Sequence, residues 1–193
     1  MTGSQPSVAG KAALRTELKA VRSAFVDGLV PAARIALERN LAAQLEAHLD
    51  TDRQFAVYAA FGSEISPASL GLACPPLLPR VGEATAPLTF HHFSAGELVV
   101  SRFGVAQPPA WLPSIDPDIV LVPLLGVDRR GHRIGYGAGF YDRTLASLRR
   151  RGPVFAIGCA WDCQFIDDIP ADEWDEPLDA VATPTRFLQI VPR

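Results

Sequence analysis

The chain has 193 residues, 18 Lys and Arg against 21 Asp and Glu, and a formal net charge of −3. Its 48% hydrophobic and 20% charged residues exclude an intrinsically disordered or collagen-like chain. No run of 18 or more apolar residues is present to span a membrane, and the odd number of cysteines, 3, argues for a reducing compartment rather than a disulfide framework. A cytoplasmic protein is expected.

Residues 1–10 read as a disordered lead-in, with one domain over residues 11–193. A helix is predicted over residues 11–25. At 100° per residue, Leu14, Leu18, Val21 and Phe25 fall within an arc of about 60°, beside a basic stripe of Lys11, Arg15, Lys19 and Arg22. Taken alone, that stripe is a solvated face. A second helix begins at Pro31, a good first-turn residue, and carries Ile35, Leu41, Leu45 and Leu49. The continuous apolar run of residues 55–61 predicts a strand buried on both faces, and Ser66-Pro67 opens a short helix to about residue 72. Strands follow at residues 77–81, 88–93, 98–100 and 119–123. Asp128 to Gly131 is a turn, residues 140–150 are a helix stopped by Gly152-Pro153, and residues 154–160 and 180–182 are strands. Strands alternating with helices imply an α/β domain, a largely parallel sheet flanked by helices.

Charge is unevenly spread. Seven arginines lie between Arg129 and Arg151, whereas Asp162 to Asp179 holds eight acids and no Lys or Arg. This suits an anionic ligand held with a divalent cation, and an ordinary solvated surface equally well. No RNA-binding motif or interleaved aromatics accompany the arginines, so no nucleic-acid partner is expected. The most informative segment follows the strand at 119–123: a turn, then Gly135, Gly137 and Gly139, then a helix. Such glycines let a ligand approach the backbone, and the free N–H groups of a helix start favour an anion. A Walker A loop is excluded because no lysine exists beyond Lys19, and the dinucleotide fingerprint fails because position 140 is Phe. Cys159 and Cys163 lack a second ligand pair, and His91 and His92 point to opposite faces of a strand, so neither pair reads as a metal site. Trp161 and Trp174 read as core residues.

The stretch Gly131-His-Arg133-Ile-Gly135-Tyr-Gly137-Ala-Gly139-Phe-Tyr141-Asp142 resembles the signature of the 5-formyltetrahydrofolate cyclo-ligase family, the 5,10-methenyltetrahydrofolate synthetases. Lys11-Ala-Ala-Leu-Arg15, Glu64-Ile65, Pro79-Arg80, Gly104 to Pro108, Ala160 to Gln164 and Asp179-Ala-Val181 resemble further family elements, in order along the chain. The resemblance implies a NagB/RpiA/CoA-transferase-like α/β fold and a single catalytic domain. It implies conversion of 5-formyltetrahydrofolate to 5,10-methenyltetrahydrofolate with ATP and Mg²⁺, yielding ADP and phosphate, by phosphorylation of the formyl oxygen and ring closure by N10. No covalent nucleophile is expected. Lys11, Arg15, Arg133, Ile134, Gly135, Tyr136, Gly137, Ala138, Gly139, Phe140 and Tyr141 match the family's ATP contacts. Ala59 and Glu64, with Tyr136 to Phe140, match its folate contacts, and Asp142 and Asp179 its Mg²⁺ ligands. The only partner implied is the small-molecule substrate, possibly polyglutamylated, with no nucleic acid, no membrane and a monomeric protein. Leu124, Tyr136, Ala138 and Phe140 depart from common family residues. The alternative is a family member that holds folate or nucleotide without turning it over.

Overall fold

The structure, a computed structural model, describes residues 8–190. Of the expected lead-in, residues 1–7 lie outside the described residues, while residues 8–10 already belong to α1 (Val8–Asp27). The chain continues through α2 (Pro31–His48), β1 (Phe55–Ala56), β2 (Leu78–Arg80), β3 (Thr89–His91), β4 (Val99–Val100), β5 (Ala106–Gln107) and β6 (Ile119–Pro123). There follow β7 (Gly126–Val127), β8 (Arg133–Ile134), α3 (Phe140–Arg151), β9 (Phe155–Cys159), β10 (Ala180–Ala182) and β11 (Phe187–Gln189).

The central sheet has the order β1-β6-β9-β10-β11, parallel except for β11, which runs antiparallel to β10. Its strands are short and apolar because both faces are covered. Along β6 the side chains alternate: Val120 and Val122 pack with Leu145 and Leu148 of α3, while Ile119 and Leu121 pack with Leu41 and Leu45 of α2. Complete burial of each such side chain stabilises the fold by about 1.5–3 kcal/mol. A third, smaller cluster joins Leu18 of α1 to Leu125, Ile134 and Ile169. The hairpins β2–β3, β4–β5 and β7–β8 are separate two-stranded sheets.

Several expectations are corrected. Only Phe55 and Ala56 of the run at 55–61 pair as strand; a single further bond from Val57 N to Leu77 O precedes a departure from the sheet. Burial follows the apolar run only in part, since Phe55, Ala56 and Tyr58 are buried whereas Phe61 is 60% exposed. No helix forms over residues 66–72. Ser66 Oγ accepts from Ala68 N at 3.3 Å and Leu70 N donates to Pro67 O, one turn that is too short to propagate. Strand β11 was not expected, although Phe187-Leu188-Gln189-Ile190 is apolar enough to signal it. Ile35 is 49% exposed rather than packed, and Trp174 is 67% exposed, whereas Trp161 is fully buried as expected. The face of α1 is turned from the expected one: Lys11 and Arg22 are buried and Val21 is exposed. Lys11, Arg15 and Arg22 of the basic stripe find acceptors on the protein, and only Lys19 stays exposed as a solvated charge. Among the described residues no helix is long and apolar enough to cross a membrane.

Candidate active site

Beyond the carboxyl ends of β1 and β6 the chain encloses a cavity of about 920 Å³, near the upper end of ordinary small-molecule sites at about 300–1,000 Å³. Tyr58 and Ala59 line it where the run after β1 leaves the sheet, as does Pro123, the last residue of β6. This is the edge of an open parallel sheet at which ligands bind. Residues 135–142 line it, as do the β2–β3 and β4–β5 hairpins through Pro79, Phe103 and Gln107.

The glycine loop is built by backbone need. Gly137 has φ 94° and Gly139 φ 65°, left-handed values that cost glycine little. Gly139 is the N-cap of α3 and offers no side chain to its first turn, so that turn's N–H groups keep the partial positive charge of a helix start. Two arginines brace the loop. Arg15 Nε donates to Gly135 O at 3.1 Å, and Arg143 Nη2 donates to Ala138 O at 2.9 Å. A Cβ on Gly137 would stand 3.3 Å from Arg15 Cζ, so position 137 has no room to spare.

Glu64 is buried at the cavity wall. Its Oε2 accepts from Phe61 N at 2.8 Å and its Oε1 from the Tyr136 hydroxyl at 2.7 Å. Burial, with Glu64 adding to it, pushes the Tyr136 hydroxyl up to about 12. Burial pushes the Tyr141 hydroxyl well up too.

Lys11 Nζ sits between two carboxylates, 2.7 Å from Asp172 Oδ2 and 2.7 Å from Asp175 Oδ2. Burial pulls its ammonium down, but the hydrogen bonds to Asp172 and Asp175 more than offset this, and its pKa ends above the usual lysine value. A chain of ion pairs runs alongside. Arg133 donates to Asp142 Oδ1 at 2.5 Å and to the Glu176 carbonyl, and Glu176 N donates to Asp142 Oδ1 at 3.3 Å. Arg149 spans Glu176 Oε2 at 2.6 Å and Asp179 Oδ2 at 2.9 Å.

Of the residues singled out from sequence, Lys11, Ala59, Glu64, Arg133, Gly135 to Tyr141 and Asp142 all line the cavity. Arg15 lies behind the loop. Ile134 is buried in the cluster around Leu18 and does not line the cavity. Asp179 does not line it either: it precedes β10, at the opposite end of the strand, and its Oδ2 is held by Arg149 and by Ala156 N at 2.7 Å. Among the described residues no group of three or more His, Cys, Asp or Glu could hold a metal. Mg²⁺ in phosphate sites takes one or two carboxylates, with substrate phosphates and waters completing its shell. Asp142, a half-buried carboxylate beside the start of α3, fits that role. Sequence reasoning missed Arg22, Arg143 and the pair Asp172 and Asp175. The eight-acid stretch was the visible signal for Asp172 and Asp175, and the arginine-rich stretch for Arg143, whereas nothing in the sequence shows Arg22 turned inward.

A family model described as the 5-formyltetrahydrofolate cyclo-ligase family matches residues 7–184. A 5-formyltetrahydrofolate cyclo-ligase of Mycolicibacterium smegmatis is 42% identical over 106 residues, 53% of this chain and 54% of that protein. One of Escherichia coli is 34% identical over 125 residues, 57% of this chain and 68% of that protein. The aligned segment is thus about half of the first relative's length. The fold is similar to a 5,10-methenyltetrahydrofolate synthetase of Aquifex aeolicus solved by NMR, with TM-score 0.72 and 23% identity over 93% of this chain and 94% of that one.

Proposed function

This chain belongs to the 5-formyltetrahydrofolate cyclo-ligase family, and from that premise we propose that it converts 5-formyltetrahydrofolate into 5,10-methenyltetrahydrofolate at the expense of ATP. The observation that carries the reading is a single cavity lined both by the glycine loop at the start of α3 and by the buried carboxylate of Glu64. The loop's N–H groups suit phosphate oxygens, and the carboxylate suits the amino and ring N–H groups of a pterin.

In the proposed reaction the formyl oxygen attacks the γ-phosphorus, the bond to the β–γ bridging oxygen breaks and ADP leaves. N10 then attacks the activated carbon, its proton passes to water, the carbon–oxygen bond breaks and phosphate departs. Such transfers ask for positioning and charge stabilisation more than for covalent help. Mg²⁺ bound with the nucleotide supplies charge neutralisation across the phosphates. Asp142 is the carboxylate of this chain best placed to hold it, whereas Asp179, at the far end of β10, is not. Lys11 meets phosphate oxygens by exchanging them for Asp172 and Asp175, while Arg15 holds the loop through Gly135.

The test is incubation of the protein with ATP, Mg²⁺ and 5-formyltetrahydrofolate while the absorbance of the methenyl product is followed. Turnover that needs all three is the expected result. Binding of both ligands without product supports instead a non-catalytic member of the family. Asp142→Asn is expected to abolish most turnover in a folded protein, and unchanged Mg²⁺-dependent turnover removes Asp142 from the metal site.

A further inference from the structure

Arg22 of α1 is 2% exposed, and among the described residues its guanidinium meets no carboxylate directly. Its Nε donates to Ser63 Oγ at 3.0 Å, its Nη1 to Leu124 O at 3.1 Å and its Nη2 to the Tyr136 hydroxyl at 2.6 Å. Guanidinium carries only donors and an ionised carboxylate only acceptors. The phenol between Arg22 and Glu64 therefore has its direction set. It accepts from Arg22 and gives its single proton to Glu64 Oε1, 2.7 Å away. The same Arg22 guanidinium carbon lies 5.6 Å from the centroid of the ring. A buried cation ordinarily faces an anion. Here the anion is one hydroxyl further on, and it lines the cavity.

We propose that Arg22, acting through the Tyr136 hydroxyl, is a positioning residue that holds the Glu64 carboxylate as an oriented acceptor for the folate ring. The inference rests on the reading that Glu64 faces folate. With Phe61 N fixing Oε2 and Tyr136 fixing Oε1, both oxygens are pinned by protein donors. Each oxygen keeps acceptor capacity, in a plane that Glu64 alone would not maintain. Pre-set geometry of this kind removes ordering cost at binding.

The test is calorimetric binding of 5-formyltetrahydrofolate in the absence of ATP, with steady-state kinetics beside it. Tyr136→Phe keeps the ring and removes only the relaying hydroxyl. It is expected to weaken folate binding roughly tenfold, the scale of one hydrogen bond to a charged group. The Michaelis constant for ATP should move by less than about twofold, since the loop backbone is retained. In a Glu64→Gln background the same Tyr136→Phe change should cost less than about twofold, because the anion it orients is gone. Arg22→Lys keeps the charge without the fork and should follow Tyr136→Phe. If Arg22→Lys unfolds the protein through its bonds to Ser63 and Leu124, the Tyr136→Phe and double-variant measurements decide alone. Unchanged folate affinity in Tyr136→Phe overturns the relay, and so does full additivity with Glu64→Gln, which would mean that Tyr136 acts on the ligand directly. A parent protein that binds no 5-formyltetrahydrofolate overturns the functional reading itself and the relay with it.

Discussion

Asp128 shows how one buried charge can set the shape of a loop. It is fully buried, and its carboxylate accepts from Arg130 N at 2.9 Å, His132 N at 3.0 Å and Ile169 N at 3.2 Å, with the Arg130 guanidinium closing on it at 2.9 Å. Burial alone would raise its pKa. The Arg130 side chain, then the backbone donors of Arg130, Ile169 and His132, overcome that and hold it below the usual carboxylate value. A depressed folded-state pKa contributes stability that is complete above the unfolded value, near 3.9, and is lost as the pH falls through the folded one. Asp128→Asn turns one acceptor into a donor facing donors and should cost roughly 2–4 kcal/mol in denaturant unfolding at pH 7. The parent should also lose stability faster than the variant below about pH 4. Equal acid dependence in the two proteins would place the acid sensitivity elsewhere. None of this was legible from sequence beyond a turn at Asp128 to Gly131. The same holds for Arg22, because a charged residue on an amphipathic helix carries no mark of being turned inward.

At the scale of elements, the β7–β8 hairpin depends on its glycine in two separable ways. Gly131 has φ 83°, and a Cβ there would stand 2.6 Å from Leu178 O, a backbone atom with no rotamer to yield. The same Leu178 donates from its N to Gly131 O at 3.0 Å, so the contact joins the hairpin to the segment before β10. Gly62 also has a positive φ, 62°, but nothing within 4 Å of its Cβ position. Gly62→Ala should therefore cost only backbone strain, about 1–2 kcal/mol, and Gly131→Ala should cost about 2 kcal/mol more. Equal losses in urea unfolding would show that the collision relaxes freely. Glycine loops, helix starts at Pro31 and Phe140, and the β6 strand were all readable, because each rests on a local signal of periodicity, cap or turn. The segment at 55–61 and the turn at Pro67 misled for the opposite reason. Whether a buried run pairs as a strand depends on which neighbours reach it, and Leu77 reaches only as far as Val57.

Across the whole molecule, α1 is a strap whose polar contacts are remote in sequence. Lys11 and Asp175 are 164 residues apart, Arg15 and Gly135 are 120 apart, and Leu18 anchors the strap in the cluster with Leu125 and Ile134. The strap therefore joins the cavity's basic, glycine-rich and acidic parts only when the chain is fully folded, and nucleotide binding should register as global stability. Ligand at a hundred times its dissociation constant stabilises the native state by about 2.7 kcal/mol, which for a chain of this size raises the melting temperature by roughly 5–11 °C. ATP with Mg²⁺ and 5-formyltetrahydrofolate should each produce a rise of that order. Replacing Lys11 and Arg15 together by Gln removes one charge-assisted contact to phosphate, of about 1.5–3 kcal/mol, and with it the Arg15 brace on the Gly135 carbonyl. The ATP-induced rise should then shrink to roughly 1–5 °C at the same ligand concentration, while the folate-induced rise is kept. The unliganded double variant should itself melt lower, because Asp172 and Asp175 lose the ammonium between them. A strap that is only structural would give a different pattern: the lowered baseline, with both ligand-induced rises intact. Melting curves of parent and double variant, alone and with each ligand, separate the two, and persistence of the ATP rise would move the nucleotide away from α1.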